Sequence, residues 1–397
     1  MRSALTCSVV CGALLSAGHA SMGVAAPPTA LSQDESAAVI RFPHDADLWD
    51  AALSEDGRLH VVYSVRQAGE SKRGASDLFY LATKNAERTR WMDPRKIPTG
   101  ELPVTVGGER KALIAVMPRD VVLVSWPSGG LIGAARSADN GGSWVPVTPR
   151  DPSAAGHADT MTMTGSAAGR VAFAWTDTAV MGRGEDKIAA PLHVTLSRNG
   201  GATYESVIEI NKNLLGACVC CTPDLAFDGA GNLWVAYRTS EANIKEICIA
   251  RLGVDGAITA AIASADEWHL NGCPMNGPEI AVDREGKTVA VTWTREEVIR
   301  GATSTDGGKT FGAARDSGRG AHHSSAAGGD RLWLAWELHN ETSLIRAIER
   351  SGEQRAAVPP TAVLLVSAEG QPLLVSAAGS STPPGGEHDR HERHGDH

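Results

Sequence analysis

The chain has 397 residues, of which 42% are hydrophobic and 5% aromatic, and its formal net charge at pH 7 is −9. A chain of this length and apolar content can bury a large core, and a single repeat fold can use all of it. The acidic balance argues against a nucleic-acid partner, because binding to a phosphate backbone depends on clustered Lys and Arg. After the N-terminal region no run of 18 uninterrupted apolar residues occurs, so the sequence predicts no membrane span.

Residues 1–25 have the composition of a secretory signal peptide. Their one charged residue, Arg2, is followed by the apolar run 4–17 and then by small residues up to Ala25. This order of a basic, an apolar and a small-residue region is typical of export signals. We therefore expect cleavage after Ala20 or Ala25, and a mature protein that is periplasmic or secreted.

The next segment, residues 26–378, repeats one pattern: a turn with Asp or Gly, then a strand of alternating apolar residues that ends in Trp or Tyr. Period-two alternation is the signature of a β-strand. The aromatic anchors are 43 to 63 residues apart, the length of a four-stranded blade with variable loops. They predict six blades, and two further strand-like runs in 362–378 can close the ring. The anchors are Tyr63, Trp126, Trp175, Tyr237, Trp293 and Trp336.

A shorter motif, Ser-x-Asp/Asn-x-Gly-x-Ser/Thr-aromatic, recurs three times within this repeat. Its Asp or Asn side chain can accept hydrogen bonds from backbone amides just downstream, and its glycine supplies a positive φ. We expect the terminal aromatic ring to pack beneath the turn, and the whole motif to be structural. The key positions are Ser137, Asp139, Gly141 and Trp144; Ser197, Asn199, Gly201 and Tyr204; and Ser304, Asp306, Gly308 and Phe311.

This motif resembles the Asp-box (BNR) turn of the sialidase-like β-propellers. The resemblance covers roughly residues 35–378 and implies an all-β, six-bladed β-propeller with very little helix. It also implies that each Asp-box joins the third and fourth strands of a blade, away from the usual active face. A glycoside hydrolase of the exo-α-sialidase type is the activity that such a fold implies.

The residues that carry sialidase catalysis are matched only in part. The family binds its substrate carboxylate with three arginines and uses an Asp acid/base and a Tyr–Glu nucleophile pair. The resemblance implies Arg41, Arg238 and Arg295 as the arginines and Asp50 as the acid/base. Arg238 and Arg295 each follow an anchor aromatic, so each is either a partner of Arg41 or a solvated strand end. The four tyrosines of the chain lie in strands or in an Asp-box, so we expect no sialidase activity. Asp50, Asp224 and Glu279 support either another two-carboxylate hydrolysis or plain hydrogen-bond acceptance at strand starts.

Five cysteines follow the predicted signal peptide, and four of them lie in loops that lead into the fourth and fifth blades. Cys218, Cys220 and Cys221 precede the fourth, and Cys273 precedes the fifth, with His269 and Met275 beside it. Thiolate, thioether and imidazole together favour copper, particularly Cu(I), or zinc. The sequence therefore predicts one such ion, held by some of these side chains on the top face of the propeller.

The same cysteines have a second interpretation. In an exported protein disulfides persist, and a bond from Cys220 or Cys221 to Cys273 would link the two loops. Five is an odd number, so at least one thiol is left over or binds metal. Cys248 lies inside an apolar strand, and we expect it to be a buried core thiol.

Residues 379–397 differ from the rest of the chain. A linker of Ser, Pro and Gly leads to four histidines at every third position, separated by Asp, Glu and Arg. Such a polar segment cannot bury a core, so it is predicted to be disordered. Imidazole binds copper, nickel and zinc, so the tail is predicted either to capture metal or to act as a solubilising tail. The histidines are His388, His391, His394 and His397.

Three functions remain open at this level. The leading one is a non-catalytic binding protein for a soft transition metal, copper first, that uses the Cys/Met/His face and the tail. The second is a sialidase-like glycoside hydrolase with a divergent site. The third is a disulfide-stapled module that binds a small glycan or a protein on the same face.

Overall fold

The computed structural model describes residues 29–30, 37–42, 46–67, 76–107, 110–149, 157–178, 189–272, 274–328, 331–338, 342–347, 354–356, 363–367 and 371–378. Over these residues the chain forms seven four-stranded sheets, and the helix Glu241–Asn243 is a single 3-10 turn. The all-β prediction is confirmed. No helix in this part of the chain is long and apolar enough to cross a membrane.

Six of the sheets, numbered 1 to 6, each use four strands in a single stretch of chain, and the seventh, the closing sheet, combines the two ends of the domain. The strands are β1 (Thr29–Ala30) and β2 (Ala37–Arg41) of the closing sheet; β3 (Ala46–Leu53), β4 (Leu59–Arg66), β5 (Ser76–Ala82) and β6 (Arg95–Lys96) of sheet 1; β7 (Leu113–Met117), β8 (Val121–Ser128), β9 (Leu131–Ser137) and β10 (Val145–Val147) of sheet 2; β11 (Ala158–Gly165), β12 (Val171–Asp177), β14 (Leu192–Ser197) and β15 (Ile208–Glu209) of sheet 3, with β13 (Ala189–Ala190) and β16 (Ala217–Cys218) paired beside it; β17 (Asp224–Phe227), β18 (Leu233–Arg238), β19 (Ile247–Leu252) and β20 (Ile258–Ile262) of sheet 4; β21 (Glu279–Val282), β22 (Val289–Arg295), β23 (Val298–Ser304) and β24 (Arg315–Arg319) of sheet 5; β25 (Ala321–Gly328), β26 (Arg331–Leu338), β27 (Thr342–Ala347) and β28 (Gln354–Ala356) of sheet 6; and β29 (Val363–Val366) and β30 (Pro372–Ala378) of the closing sheet.

The aromatic anchors occupy the second strand of sheets 1 to 6, as the repeat predicts. Each of the six is at most 2% exposed. Every sheet packs face to face against its neighbours, so both faces of its second strand are buried; β8, for example, has no exposed residue. The apolar core is accordingly divided into clusters between successive sheets, such as Tyr80 of sheet 1 with Val122 of sheet 2.

The inner strands β3, β7, β11, β17, β21, β25 and β29 contact one another in that order, and β29 contacts β3 to complete a ring. The β-propeller prediction is thus confirmed, and each of the six predicted blades is found. The closing sheet is a seventh. Counting aromatic anchors in the sequence misses this seventh blade, because the closing sheet is assembled from residues 29–41 and 363–378 and has no aromatic anchor. Its central pairing joins β2 and β30 in parallel, with Ala37 opposite Leu374.

The three Asp-boxes lie between the third and fourth strands of sheets 2, 3 and 5, as the resemblance implies. In each box the first Ser accepts the N–H of the box glycine through its Oγ, at 2.8, 2.9 and 2.9 Å. The Asp or Asn Oδ1 accepts the N–H of the following Ser or Thr, at 2.8, 3.0 and 3.0 Å. Hydrogen bonds led by that of Ser143 lower the pKa of Asp139 to about 2, so its carboxylate is committed to the turn.

Each box glycine also packs against the preceding sheet. A Cβ atom on Gly141 would lie 2.0 Å from the Tyr80 ring of sheet 1, and one on Gly308 would lie 2.4 Å from the Trp234 ring of sheet 4. Both glycines have positive φ, +82° and +74°, which side chains tolerate poorly. The Asp-boxes therefore hold neighbouring blades together, and their role is structural.

The predicted signal peptide, residues 1–25, and the predicted tail, residues 379–397, lie outside the described residues. Both stay predictions.

Candidate functional site

The cysteine-rich segment 217–221, here called the cysteine turn, is clamped between sheets 3 and 4. Ala217–Cys218 pairs with Ala189–Ala190, and the Val219 carbonyl accepts the Thr176 hydroxyl at 3.1 Å. The Cys221 N–H donates to the Cys218 carbonyl at 3.3 Å. This bond closes the turn and brings the first and last cysteine side chains to the same side, where their thiols hydrogen-bond to each other. Cys218 is 0% and Cys221 1% exposed.

The loop that leads into sheet 5 covers this turn. The Asn276 N–H donates to the Cys221 sulfur. A Cβ atom on Gly277 would lie 1.8 Å from the Thr222 carbonyl oxygen, so only glycine allows the two loops to approach this closely. The structure thus brings together the two loops that the sequence places on neighbouring blades.

A buried guanidinium lies beside the thiol pair. Arg238, the last residue of β18, is 1% exposed. Its Nε and Nη2 donate to the backbone and side-chain oxygens of Asn276, at 3.2 and 3.0 Å, and Nη2 also donates to the Thr294 carbonyl. Its Nη1 makes no hydrogen bond to an oxygen or nitrogen atom of the described residues. The guanidinium also lies 5.3 Å from the centre of the Trp268 ring, a cation–π distance.

The two thiols of the pair differ in acidity. The hydrogen bond from Cys221 lowers the pKa of Cys218 to about 7, helped by the Cys220 N–H and by the positive charges of Lys245 and Arg238. Burial raises the pKa of Cys221, and its hydrogen bond to Cys218 raises it further. The hydrogen bond between the two thiols therefore favours ionisation of Cys218 over ionisation of Cys221.

The other predicted sulfur ligands are placed differently. Cys220 is half-buried and disulfide-bonded, with its Sγ 3.9 Å from the Cys218 Sγ. A sulfur in a disulfide is not a thiolate ligand. Cys273 is not described, so its pairing with Cys220 stays a prediction. Cys248 is buried, and desolvation raises its pKa to about 11, as expected of a core thiol.

Donors from other side chains do not complete a larger metal site within the described residues. His269 is exposed, and Met275 is 53% exposed. No group of three or more His, Cys, Asp or Glu side chains in this part of the chain is arranged to hold a metal ion. The four tail histidines lie outside the described residues.

The described candidate sialidase arginines, Arg238 and Arg295, have protein partners and do not form a cluster that could bind a substrate carboxylate. Arg238 is committed to Asn276 and Thr294, as described above. The Arg295 Nη1 lies 4.0 Å from the Asp266 carboxylate, and its guanidinium lies 6.0 Å from the centre of the Trp268 ring. The side chain of Arg41 is not described. None of the four tyrosines is placed as a catalytic nucleophile. Tyr63, Tyr80 and Tyr237 are at most 2% exposed, and Tyr204 closes an Asp-box.

Asp50 and Asp224 occupy equivalent places on two inner strands. Asp50 accepts the N–H groups of Ala51, at 2.8 Å, and of Ile114 in the next sheet, at 2.9 Å. Asp224 likewise accepts those of Leu225 and of Ile280 in the next sheet, both at 2.8 Å. Each carboxylate thus ties one inner strand to the next, which is the hydrogen-bond acceptor role that the sequence left open.

Burial raises the pKa of both Asp50 and Asp224 to about 6, against the opposing effect of these N–H groups and of Lys111. Each residue is half-buried. Glu279 hydrogen-bonds to Asp224, and Asp50 and Asp224 interact electrostatically although they belong to sheets 1 and 4. This long-range interaction places both carboxylates toward the centre of the ring.

Sequence reasoning missed the residues that shape the thiol site. Lys245, Trp268 and the Asn276 backbone carry no local motif, and Arg238 was matched to a substrate-binding role on its position after an anchor. The signal available was indirect: Arg238 ends β18, which pairs antiparallel with β17, the strand that follows the Cys-x-Cys-Cys segment. Strand register then places it beside the residues leading into the same sheet.

No family model and no curated protein sequence matches the chain. Solved structures with similar folds include YCF48 from Cyanidioschyzon merolae, at 12% identity over 82% of this chain and 92% of that chain, with a TM-score of 0.49. They also include the Hadza microbial sialidase Hz136, at 15% identity over 74% and 63%, with a TM-score of 0.45. A fucose-specific lectin from Aleuria aurantia matches at 10% identity over 80% and 96%, with a TM-score of 0.47. The assignment as a β-propeller with Asp-box turns rests on this chain's own sheets and hydrogen bonds.

Proposed function

We propose that this protein is a non-catalytic metal-binding propeller that binds one Cu(I) ion between Cys218 and Cys221. The observation that carries the proposal is the thiol pair itself. Two buried sulfurs lie in hydrogen-bond contact at the junction of two loops, beside a buried guanidinium whose Nη1 has no oxygen or nitrogen partner in the described residues.

The number and type of donors favour copper over zinc. Structural zinc sites use four ligands and catalytic ones use three plus water, whereas the pair offers two thiols. Cu(I) is soft, prefers sulfur and accepts two thiolates in a near-linear arrangement. The Met275 thioether and the His269 imidazole belong to exposed residues and would serve as docking groups on the surface rather than as buried ligands.

Charge balance supports the same assignment. Two thiolates and one Cu(I) ion carry a net charge of −1, and an uncompensated charge is costly to bury. Arg238 and Lys245, both 1% exposed, supply positive charge beside the sulfurs. The Arg238 guanidinium, which already hydrogen-bonds the Cys221 sulfur, would then face a negatively charged site.

The non-catalytic part of the proposal rests on the arginines, tyrosines and carboxylates. Arg238 is used internally, the tyrosines are buried or close an Asp-box, and Asp50 and Asp224 tie inner strands together. We further propose that the protein is exported, periplasmic or secreted, and that the tail His388, His391, His394 and His397 collects copper ions for the body.

The test is Cu(I) binding by the full-length protein under anaerobic, reducing conditions, measured by competition with a chromogenic Cu(I) chelator. Wild type is expected to retain one Cu(I) that the C218S/C221S variant loses. Cys248→Ser is the matched control, because it removes a buried thiol of sheet 4 outside the site. A variant with the four tail histidines changed to Ala should keep the tightly held ion. Equal copper retention by wild type and C218S/C221S would overturn the proposal and favour a stapled module for a glycan or protein ligand.

A further inference from the structure

The cysteine turn holds reduced and oxidised sulfur side by side. Cys218 and Cys221 are reduced, are separated by two residues in a hydrogen-bonded turn, and contact each other through their thiols. The disulfide sulfur of Cys220 lies 3.9 Å from the Cys218 Sγ. Cys-x-x-Cys turns and adjacent cations are the setting in which cysteines become redox-active.

We propose that Cys218 and Cys221 form a reversible dithiol–disulfide couple that exchanges with low-molecular-mass disulfides, with Cys218 as the attacking sulfur and Cys221 as the resolving one. The direction follows from the contacts. Lys245 and the Cys220 N–H lie beside the Cys218 sulfur, which also accepts the Cys221 thiol hydrogen. Arg238 acts on both sulfurs, and the Cys221 sulfur is in addition held by hydrogen bonds from Arg238 and from the Asn276 N–H of the covering loop.

The exchange balances without a further oxidant. The Cys218 thiolate attacks one sulfur of a small disulfide, forms a mixed disulfide and expels a thiolate, which takes up a proton. Cys221 then loses its proton and attacks the Cys218 sulfur, forming a disulfide between the two and expelling the second thiolate, which takes up that proton. The protein is oxidised by two electrons, and the small disulfide is reduced to two thiols.

The burial of both sulfurs restricts the substrate. Because neither residue is more than 1% exposed, a protein disulfide cannot reach them without large unfolding. A small disulfide needs only the loop that carries Asn276 and Gly277 to move off the turn. This loop is held to the turn by the contacts of Arg238 and Thr222 described above, and these contacts must break for a small disulfide to enter.

This couple also regulates the proposed metal site, and to that extent the inference rests on the proposed function. A disulfide offers no thiolate, so only the reduced pair can take Cu(I). In an oxidising compartment the Cys218–Cys221 disulfide must therefore first be reduced by a dithiol donor, and only then can the metal bind.

The test needs no metal. Full-length protein, stripped with a Cu(I) chelator, is equilibrated anaerobically in mixtures of reduced and oxidised glutathione, quenched with acid and alkylated. Labels are then mapped on tryptic peptides; Cys218, Cys220 and Cys221 fall on peptide 213–238, and Cys248 falls on peptide 246–251. We expect Cys218 and Cys221 to lose their labels together as oxidised glutathione increases, and to regain them on reversal, while Cys248 stays labelled.

The C221S variant lacks the resolving sulfur, so it is expected to accumulate glutathione as a mixed disulfide on Cys218, whereas C218S accumulates none on Cys221. Cys218 and Cys221 remaining fully labelled in excess oxidised glutathione would overturn the inference, and that wild-type measurement does not depend on whether a variant folds. Copper binding is measured under full reduction, so loss of the redox couple and loss of the metal site are told apart.

Discussion

Replacing Asp50 and Asp224 together by asparagine is expected to change how the stability of the propeller depends on pH. Each carboxylate accepts two backbone N–H groups and ties neighbouring inner strands. Burial nevertheless raises the pKa of each to about 6, from 3.8. Asparagine has nearly the same shape and keeps one acceptor oxygen, but it does not titrate.

The sign follows from the direction of the shift. Because the folded pKa is above the unfolded one, the folded state binds a proton in a range where the unfolded state does not. Wild-type stability contributed by these groups is therefore present at low pH and is lost as pH rises through about 6. Linkage gives about 1.4 kcal/mol per carboxylate between about pH 7.5 and pH 5. The two carboxylates interact, so about 2–3 kcal/mol is expected for the pair.

Urea unfolding followed by tryptophan fluorescence at about pH 5, 6 and 7.5 gives the free energy of unfolding for wild type and for D50N/D224N. The difference, wild type minus variant, should increase by this amount on acidification, since other titrating groups are common to both. Glu285→Gln, at an exposed position, is the control and should show no such trend. A difference that stays constant, or that decreases on acidification, would mean that the four N–H groups outweigh burial and that both carboxylates stay ionised.

Two further predictions concern the Asp-boxes and catalysis. Gly308→Ala should destabilise the protein more than Gly256→Ala, by about 1–3 kcal/mol in urea unfolding, because both have positive φ but only a Cβ on Gly308 meets the Trp234 ring; equal losses would show that the blades do not pack tightly there. A fluorogenic sialoside should not be turned over by the full-length protein, because no tyrosine of the chain is placed as a nucleophile; turnover that disappears in Arg41→Ala would refute this.

The blades were predictable because their signals are local. An anchor such as Trp293 ends a strand whose alternation is visible in seven residues, and the Asp-box around Asp306 encodes its turn within eight. The closing sheet gives no such signal. Its strands β2 and β30 pair across almost the whole chain, and nothing local to either strand specifies the partner.

Of the candidate site, only the sulfur donor atoms and the meeting of their loops could be predicted from the sequence. The cysteine spacing pointed to sulfur chemistry, and blade order predicted that the loops around Cys221 and Asn276 meet. The charge environment did not follow, because Arg238 reaches the thiols from the far end of β18 through its register with neighbouring strands. The redox state of Cys220 is likewise a property of the assembled loops.

The parallel pairing of β2 with β30 has a consequence for how the protein is made. Ala37 and Leu374 lie at opposite ends of the domain sequence, so the ring can close only after nearly the whole domain has been delivered. Closing such a long loop is slow, and non-local pairing of this kind lowers the rate of folding. Until then the apolar face of sheet 1 that packs against the closing sheet, with Val61 and Tyr63, is uncovered. Building one sheet from the two ends of the domain therefore leaves part of the core exposed until the last strand is in place.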